Sequence, residues 1–150
     1  MENNIMGFGL SIRQSVFETN SSSMHSLSIS ENNQILEQPF DKKTTLRGWI
    51  EITGGSFGWG YEELDTAEEK LNYIFQEMHV SSNEEVMNQF AQYFKEMTGI
   101  ELKIDLGMLE SGYIDHQSFG LINDNYHGDF EKMYQFVVSN NSIIIDNDNH

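Results

Sequence analysis

Two apolar stripes at helical spacing, each introduced by a capping signal, constrain this chain more than any other feature. Leu71, Ile74, Phe75 and Met78 recur at three- and four-residue steps after Thr66, which has Glu69 three residues on. Val86, Phe90, Tyr93, Phe94 and Met97 do the same after Ser82 with Glu85, and Gly99 closes the run. A hydroxyl followed by Glu at that distance satisfies free N–H groups at a helix start, and glycine takes the left-handed turn that ends a helix. Two such helices must each bury one face, so the flanking segments have to supply what they pack against.

Those flanks read mainly as strands. Ser26–Ser30 alternates strictly, with Leu27 and Ile29 on one face, and Leu10–Phe17 alternates weakly. Thr44–Thr53 alternates through Leu46, Ile50 and Ile52 around Trp49, and Ile100–Ile104 alternates after the second helix. Ile143, Ile144 and Ile145 stand together between Asn/Asp clusters, the pattern of a buried closing strand. Phe130–Val138 suits a helix, because Phe130, Met133, Tyr134 and Val137 keep that period. Four glycines in residues 54–60 and the polar stretch Asp105–Gln117 read as connections. The order predicts an α+β fold: a mostly antiparallel sheet packed by two to three helices, in one domain spanning 1–150.

Charge bounds the partners. The chain carries 24 acids against 8 bases, a net of -16. Residues 1–60 hold six acids and four bases; residues 61–150 hold 18 acids and four bases, so the surplus is concentrated in the second part. Such a field repels phosphates, which argues against extended binding of nucleic acid, and speeds encounter with basic surfaces. Glu62, Glu63, Asp65, Glu68 and Glu69 crowd the start of the first long helix and are the expected partner-binding residues. Glu77, Glu84, Glu85 and Glu96 extend that run into a stripe of carboxylates, unless the stripe is an ordinary solvated helix face. There is no cysteine, which excludes disulfides, thiolate metal sites and thiol catalysis. No run approaches the roughly 18 apolar residues of a membrane span, and Met1–Leu10 lacks the features of a signal peptide. A cytoplasmic protein without a membrane partner is expected.

The densest polar cluster is Arg13–Ser26. Its turn-forming Asn20, Ser21, Ser22 and Ser23 can point N–H groups and hydroxyls at an anion, and Arg13 can clamp a phosphate. Glu18 and His25 add acid–base groups. The alternative is a hairpin loop whose side chains satisfy their own backbone. Phe57 and Trp59 alternate with glycines, as in a platform for stacking a base, or as in a turn whose aromatic rings fold back onto the core. Asp115 and His116 form a third polar island. A two-histidine phosphoesterase would need paired His-x-Ser/Thr-apolar strands; His116-Gln117-Ser118-Phe119 fits, whereas His25-Ser26-Leu27-Ser28 misses by one residue. The five histidines show no metal-ligand spacing, and Asn123–Asp129 lacks the EF-hand pattern, so no metal or cofactor is expected.

The string from Arg13 to Ser26 resembles the opening of a group of small phage and prophage proteins of unassigned function. These begin Arg-x-Ser/Gly-x-Phe-Glu-Thr-Asn-Ser-Ser-Ser-x-His-Ser. The similarity extends to Phe57-Gly58-Trp59 with the acidic run and Lys70-Leu71-x-Tyr73, and to Gly112–Ser118. The resemblance implies a phage-infected or prophage-bearing bacterial cytoplasm. It also implies that the islands meet in one site lined by Glu18, Asn20, His25, Trp59, Asp115 and His116. Two functions follow as expectations. One is a phage accessory, anti-defence-like protein that blocks a host defence or nucleic-acid-handling protein with a basic surface. The other is a nucleotide or phosphoester binder, or a small enzyme, with His25, His116 and Glu18 as its catalytic groups.

Overall fold

The computed structural model describes residues 25–30, 34–58, 60–81, 84–114 and 129–147. The expected strand Leu10–Phe17 lies outside them. The elements are β1 (His25–Ser30), α1 (Lys42–Arg47), β2 (Trp49–Ile52), β3 (Ser56–Phe57), β4 (Glu62–Leu64), α2 (Ala67–Val80), α3 (Glu84–Thr98), β5 (Glu101–Ile104), α4 (Leu106–Ser111), β6 (Tyr113–Ile114), α5 (Phe130–Val138) and β7 (Ser142–Asn147). The fold is α+β.

The helix starts follow from local chemistry. Thr66 accepts from Glu69 N–H, and the Glu69 carboxylate returns to the Thr66 backbone, so the capping box forms as expected. Asp129 accepts from Lys132 N–H and starts α5. Gly99 has a φ of 79°, and its N–H reaches Lys95 O at 2.7 Å beyond the last turn of α3.

Two expected segments differ. Thr44–Thr53 is a strand only from Trp49 on. Asp41 accepts from Thr44 N–H at 2.7 Å, and Gly48, at a φ of 81°, bonds back to Thr44 O; between these caps the chain is α1. Leu46, which set the alternation, is 81% exposed, so its spacing reported no buried face. Within Asp105–Gln117, Asp105 caps α4 through Met108 N–H at 3.1 Å, and β6 follows. In the glycine stretch, Ser56 and Phe57 form β3.

The strands make three small sheets among the described residues. β7 lies between β1 and β4, antiparallel to both. β2 pairs β5 in parallel, Ile50 with Leu102 and Ile52 with Ile104. β3 pairs β6 in parallel. The expected single, mostly antiparallel sheet is therefore replaced, among the described residues, by one antiparallel and two parallel arrangements with five helices. The parallel pairs arise because α2 and α3 form the crossover between β2 and β5; alternation in a strand carries no information on its partner's direction.

One apolar cluster holds these pieces together. α2 is its axis, touching α3, α4, α5, β2 and β6. Leu71, Ile74, Phe75 and Met78 are buried, as their spacing requires. Phe90, Tyr93 and Phe94 of α3 form an aromatic seam with Phe130 and Tyr134 of α5, at centroid separations from 5.5 to 6.2 Å. Lys70, Gln76 and Glu77 of α2 are fully buried, so they need internal partners. Lys70 Nζ donates to the carbonyls of Phe136, Ser139 and Asn141 at 2.9, 3.0 and 2.7 Å, tying α2 to the end of α5. No described helix is long and apolar enough to cross a membrane.

Candidate functional site

The site is built on the start of α2. β4 alternates, turning Leu64 inward and Glu63 outward, while Glu62 is half-buried. Asp65 follows, and Thr66 turns the chain into the helix, whose first turn carries Glu68 and Glu69. Acids are favoured there because the N-terminal end of a helix is partly positive. Glu69 is committed locally: its Oε1 accepts from Asp65 N–H, Thr66 N–H and the Thr66 hydroxyl, each at 3.1 Å.

One turn further on, Asn72 and Gln76 hold the glycine segment. Asn72 Oδ1 accepts from the N–H groups of Thr53 and Gly54, both at 2.8 Å. Gln76 Oε1 accepts from Gly55 N–H at 3.1 Å, and its Nε2 donates to Leu109 O at 2.9 Å. A Cβ on Gly54 or Gly112 would run into Gln76, and Gly54 has a φ of 68°. Glycine is thus required at both positions, and one helix face fixes the end of β2 against α4.

Between this face and the segment 38–42 lies a cavity of about 860 Å3. Phe40, Phe57, Leu64 and Ala67 line it with apolar surface. Asp41, Glu62, Glu68 and Glu69 line it with carboxylates, against a single base, Lys42, which leaves this lining a net of -3. Burial raises the pKa of Glu62; the Gly58 N–H works against that shift, and the Glu69 charge adds to it. Asp41 is lowered by its bonds to the Thr44 backbone and hydroxyl, with a smaller contribution from Arg47 and Lys43. Among the described residues the ion pair within 4.0 Å joins Lys132 to Asp129, so no described base closes on a cavity carboxylate. Nor do three described His, Asp or Glu side chains converge in a cluster that could hold a metal ion.

Of the expected partner-binding acids, Glu62, Glu68 and Glu69 line the cavity, and Glu63 and Asp65 are exposed beside it. Glu77 leaves the expected stripe: it is fully buried and hydrogen-bonded to the Tyr73 hydroxyl one turn earlier, because position 77 falls on the core side of α2. Exposed carboxylates also stand on α3 (Glu84, Glu85 and Glu96), β5 (Glu101) and α5 (Glu131), so acidity is not confined to the α2 start. Bases gather along α1, from Lys42 in the lining through Lys43 to Arg47, and Arg47 and Lys103 lie 4.2 and 4.3 Å from the Trp49 ring centroid.

Phe57 is 7% exposed and meets the Tyr73 ring edge-on at 5.1 Å. It is a floor residue of the cavity rather than an open stacking platform. His25 begins β1 opposite Asn147. Arg13, Glu18, Asn20, Ser21, Ser22, Ser23, Trp59, Asp115 and His116 lie outside the described residues. Sequence reasoning missed Phe40, Asp41, Asn72 and Gln76. The signal for the last two was present: amides four residues apart within a buried helix, after a pair of glycines. Comparison with family models, with curated proteins and with solved structures finds no match for this chain.

Proposed function

We propose that the chain is an interaction protein that docks a basic partner on the acidic face formed by β4 and the first turn of α2. In keeping with the resemblance of its opening string to small phage proteins, the proposed partner is a host protein, blocked in the cytoplasm of a phage-infected or prophage-bearing bacterium. The observation that carries the reading is that Glu62, Glu68 and Glu69 line one cavity, with Glu63 and Asp65 exposed beside them in the chain and no described base within ion-pair distance of the five. Carboxylates left without cations raise the encounter rate with basic surfaces and gain most when a partner supplies the missing charge.

The nucleotide reading ranks second. Its anion-binding residues fall outside the described part of the chain, and the cavity has a lining that repels phosphate.

The test is capture of partners from a bacterial lysate by the native chain and by a Glu63→Lys, Asp65→Lys variant, at about 50 and about 500 mM salt. The expected result is a basic protein retained by the native chain at low salt and lost in the variant. Retention independent of both salt and these substitutions would contradict the acidic face.

A further inference from the structure

We infer that the cavity beside α2 receives one arginine or lysine side chain of the partner; this rests on the docking reading above and names the group that anchors it. The cavity differs from a plain acidic patch in having depth and a floor. Its volume, about 860 Å3, is far more than a water or a metal ion needs and lies within the range of small-ligand sites. Phe40, Phe57, Leu64 and Ala67 give the lining its apolar part; the last three are nearly inaccessible, so half-buried Phe40 offers most of the apolar surface. Such a surface accepts the methylene stem of a long cationic side chain, whose head then stays near the polar rim.

The rim selects the head group. Asp41 and Glu69 already spend an oxygen on the caps of α1 and α2, and Asn72 Oδ1 is taken by the backbone of Thr53 and Gly54. Glu62 accepts one bond, from the Gly58 N–H, and Glu68 stands exposed in the same lining; neither is committed to a helix cap. Glu62 is half-buried, and its charged form is disfavoured by that burial, a cost that an arriving cation relieves. The positive end of α2 opposes a cation with roughly half an elementary charge, against a net of -3 on the lining, so the carboxylates prevail. A metal ion is a poor occupant because no three of these acids converge. A guanidinium or ammonium on a flexible stem needs no such convergence.

The experiment uses the full chain, labelled with 15N, and a blocked Gly-Arg-Gly tripeptide as probe. Its lysine and norleucine counterparts, putrescine and inorganic phosphate are the comparisons. The expected result is saturable amide shifts at Gly54, Leu64, Ala67 and Asn72 with the arginine and lysine peptides, and none there with norleucine or phosphate. Glu62→Gln with Glu68→Gln should weaken the peptide about tenfold and leave the remaining spectrum in place, which reports an intact fold. Glu101→Gln with Glu131→Gln, an equal change of charge on β5 and α5 and outside the lining, should leave it within about twofold. No shift at these amides, equal binding in the Gln variant, or phosphate binding there would overturn the inference. Putrescine binding tighter than either peptide would also overturn it, in favour of a free polyamine. Peptide binding that survives while lysate capture fails would separate the cavity from the docking face.

Discussion

Lys70 shows how much one side chain can carry. It lies in an otherwise apolar stripe, yet all three of its protons meet carbonyl oxygens of the turn between α5 and β7. Replacing it with Met removes the charge and three bonds; Phe136 O keeps the Ser139 hydroxyl at 2.8 Å, while the Ser139 and Asn141 carbonyls lose this donor. The expected cost is about 2–4 kcal/mol, read by urea unfolding. Burial lowers its pKa to about 8, with Asp65 opposing the shift, whereas an unfolded lysine titrates near about 10.4. Between those values the unfolded chain holds the extra proton, so this residue's contribution makes stability rise with pH across the window. Unfolding measured from about pH 7 to about pH 9.5, below most tyrosine titration, should show that slope in the native chain and lose it in Lys70→Met. Glu62 has the opposite sign. Its pKa is raised, so its contribution is greatest below the unfolded carboxylate range and is lost as pH climbs through the folded value. Glu62→Gln should therefore raise Tm slightly at neutral pH, and the gain should vanish near about pH 4.

At the scale of elements, the polar face of α2 positions the cavity wall. Asn72 and Gln76 hold the segment after β2 by hydrogen bonds, so removing Asn72, the one at the cavity, should loosen the wall and spare the core. Asn72→Ala leaves two N–H groups unpaired and should cost about 1–2 kcal/mol; amide hydrogen exchange at Thr53 and Gly54 should accelerate while Phe90 and Phe94 stay protected. Gly112→Ala is the harsher change. Its Cβ would meet Gln76 and come within 2.6 Å of Gly55 O, forcing β3 and β6 apart, and a loss of about 2–4 kcal/mol is expected from thermal unfolding. The helices themselves were readable from sequence because their signals are local. The Thr66–Glu69 box, the Gly99 stop and the α5 period all survive in the structure. The segment Thr44–Arg47 was misread because Leu46 imitates strand alternation, while the Asp41 cap and Gly48 stop, equally visible, decide for a helix.

Across the whole molecule, acidity is broad but not uniform. Bases sit by α1 and Trp49, and the cavity mouth at α2 is the place where carboxylates combine with depth. If docking works through that mouth, association should slow steeply as salt rises, since screening at about 0.15 M leaves only about 8 Å of reach. Stopped-flow association rates with a captured partner should fall with ionic strength far more than dissociation rates change.

By itself the sequence determined the three longer helices α2, α3 and α5, the inward faces of β2, β5 and β7, and the excess of negative charge, because capping, periodicity and composition act over a few residues or none. Only the tertiary structure decided that strands pair in parallel across α2 and α3, that Lys70 and Gln76 are buried, and that Glu77 leaves the acidic surface. Their partners lie far along the chain, 66 residues away for Lys70 and Phe136 and 33 for Gln76 and Leu109. A local pattern specifies which face a residue takes, while the group it meets there depends on how distant segments come together.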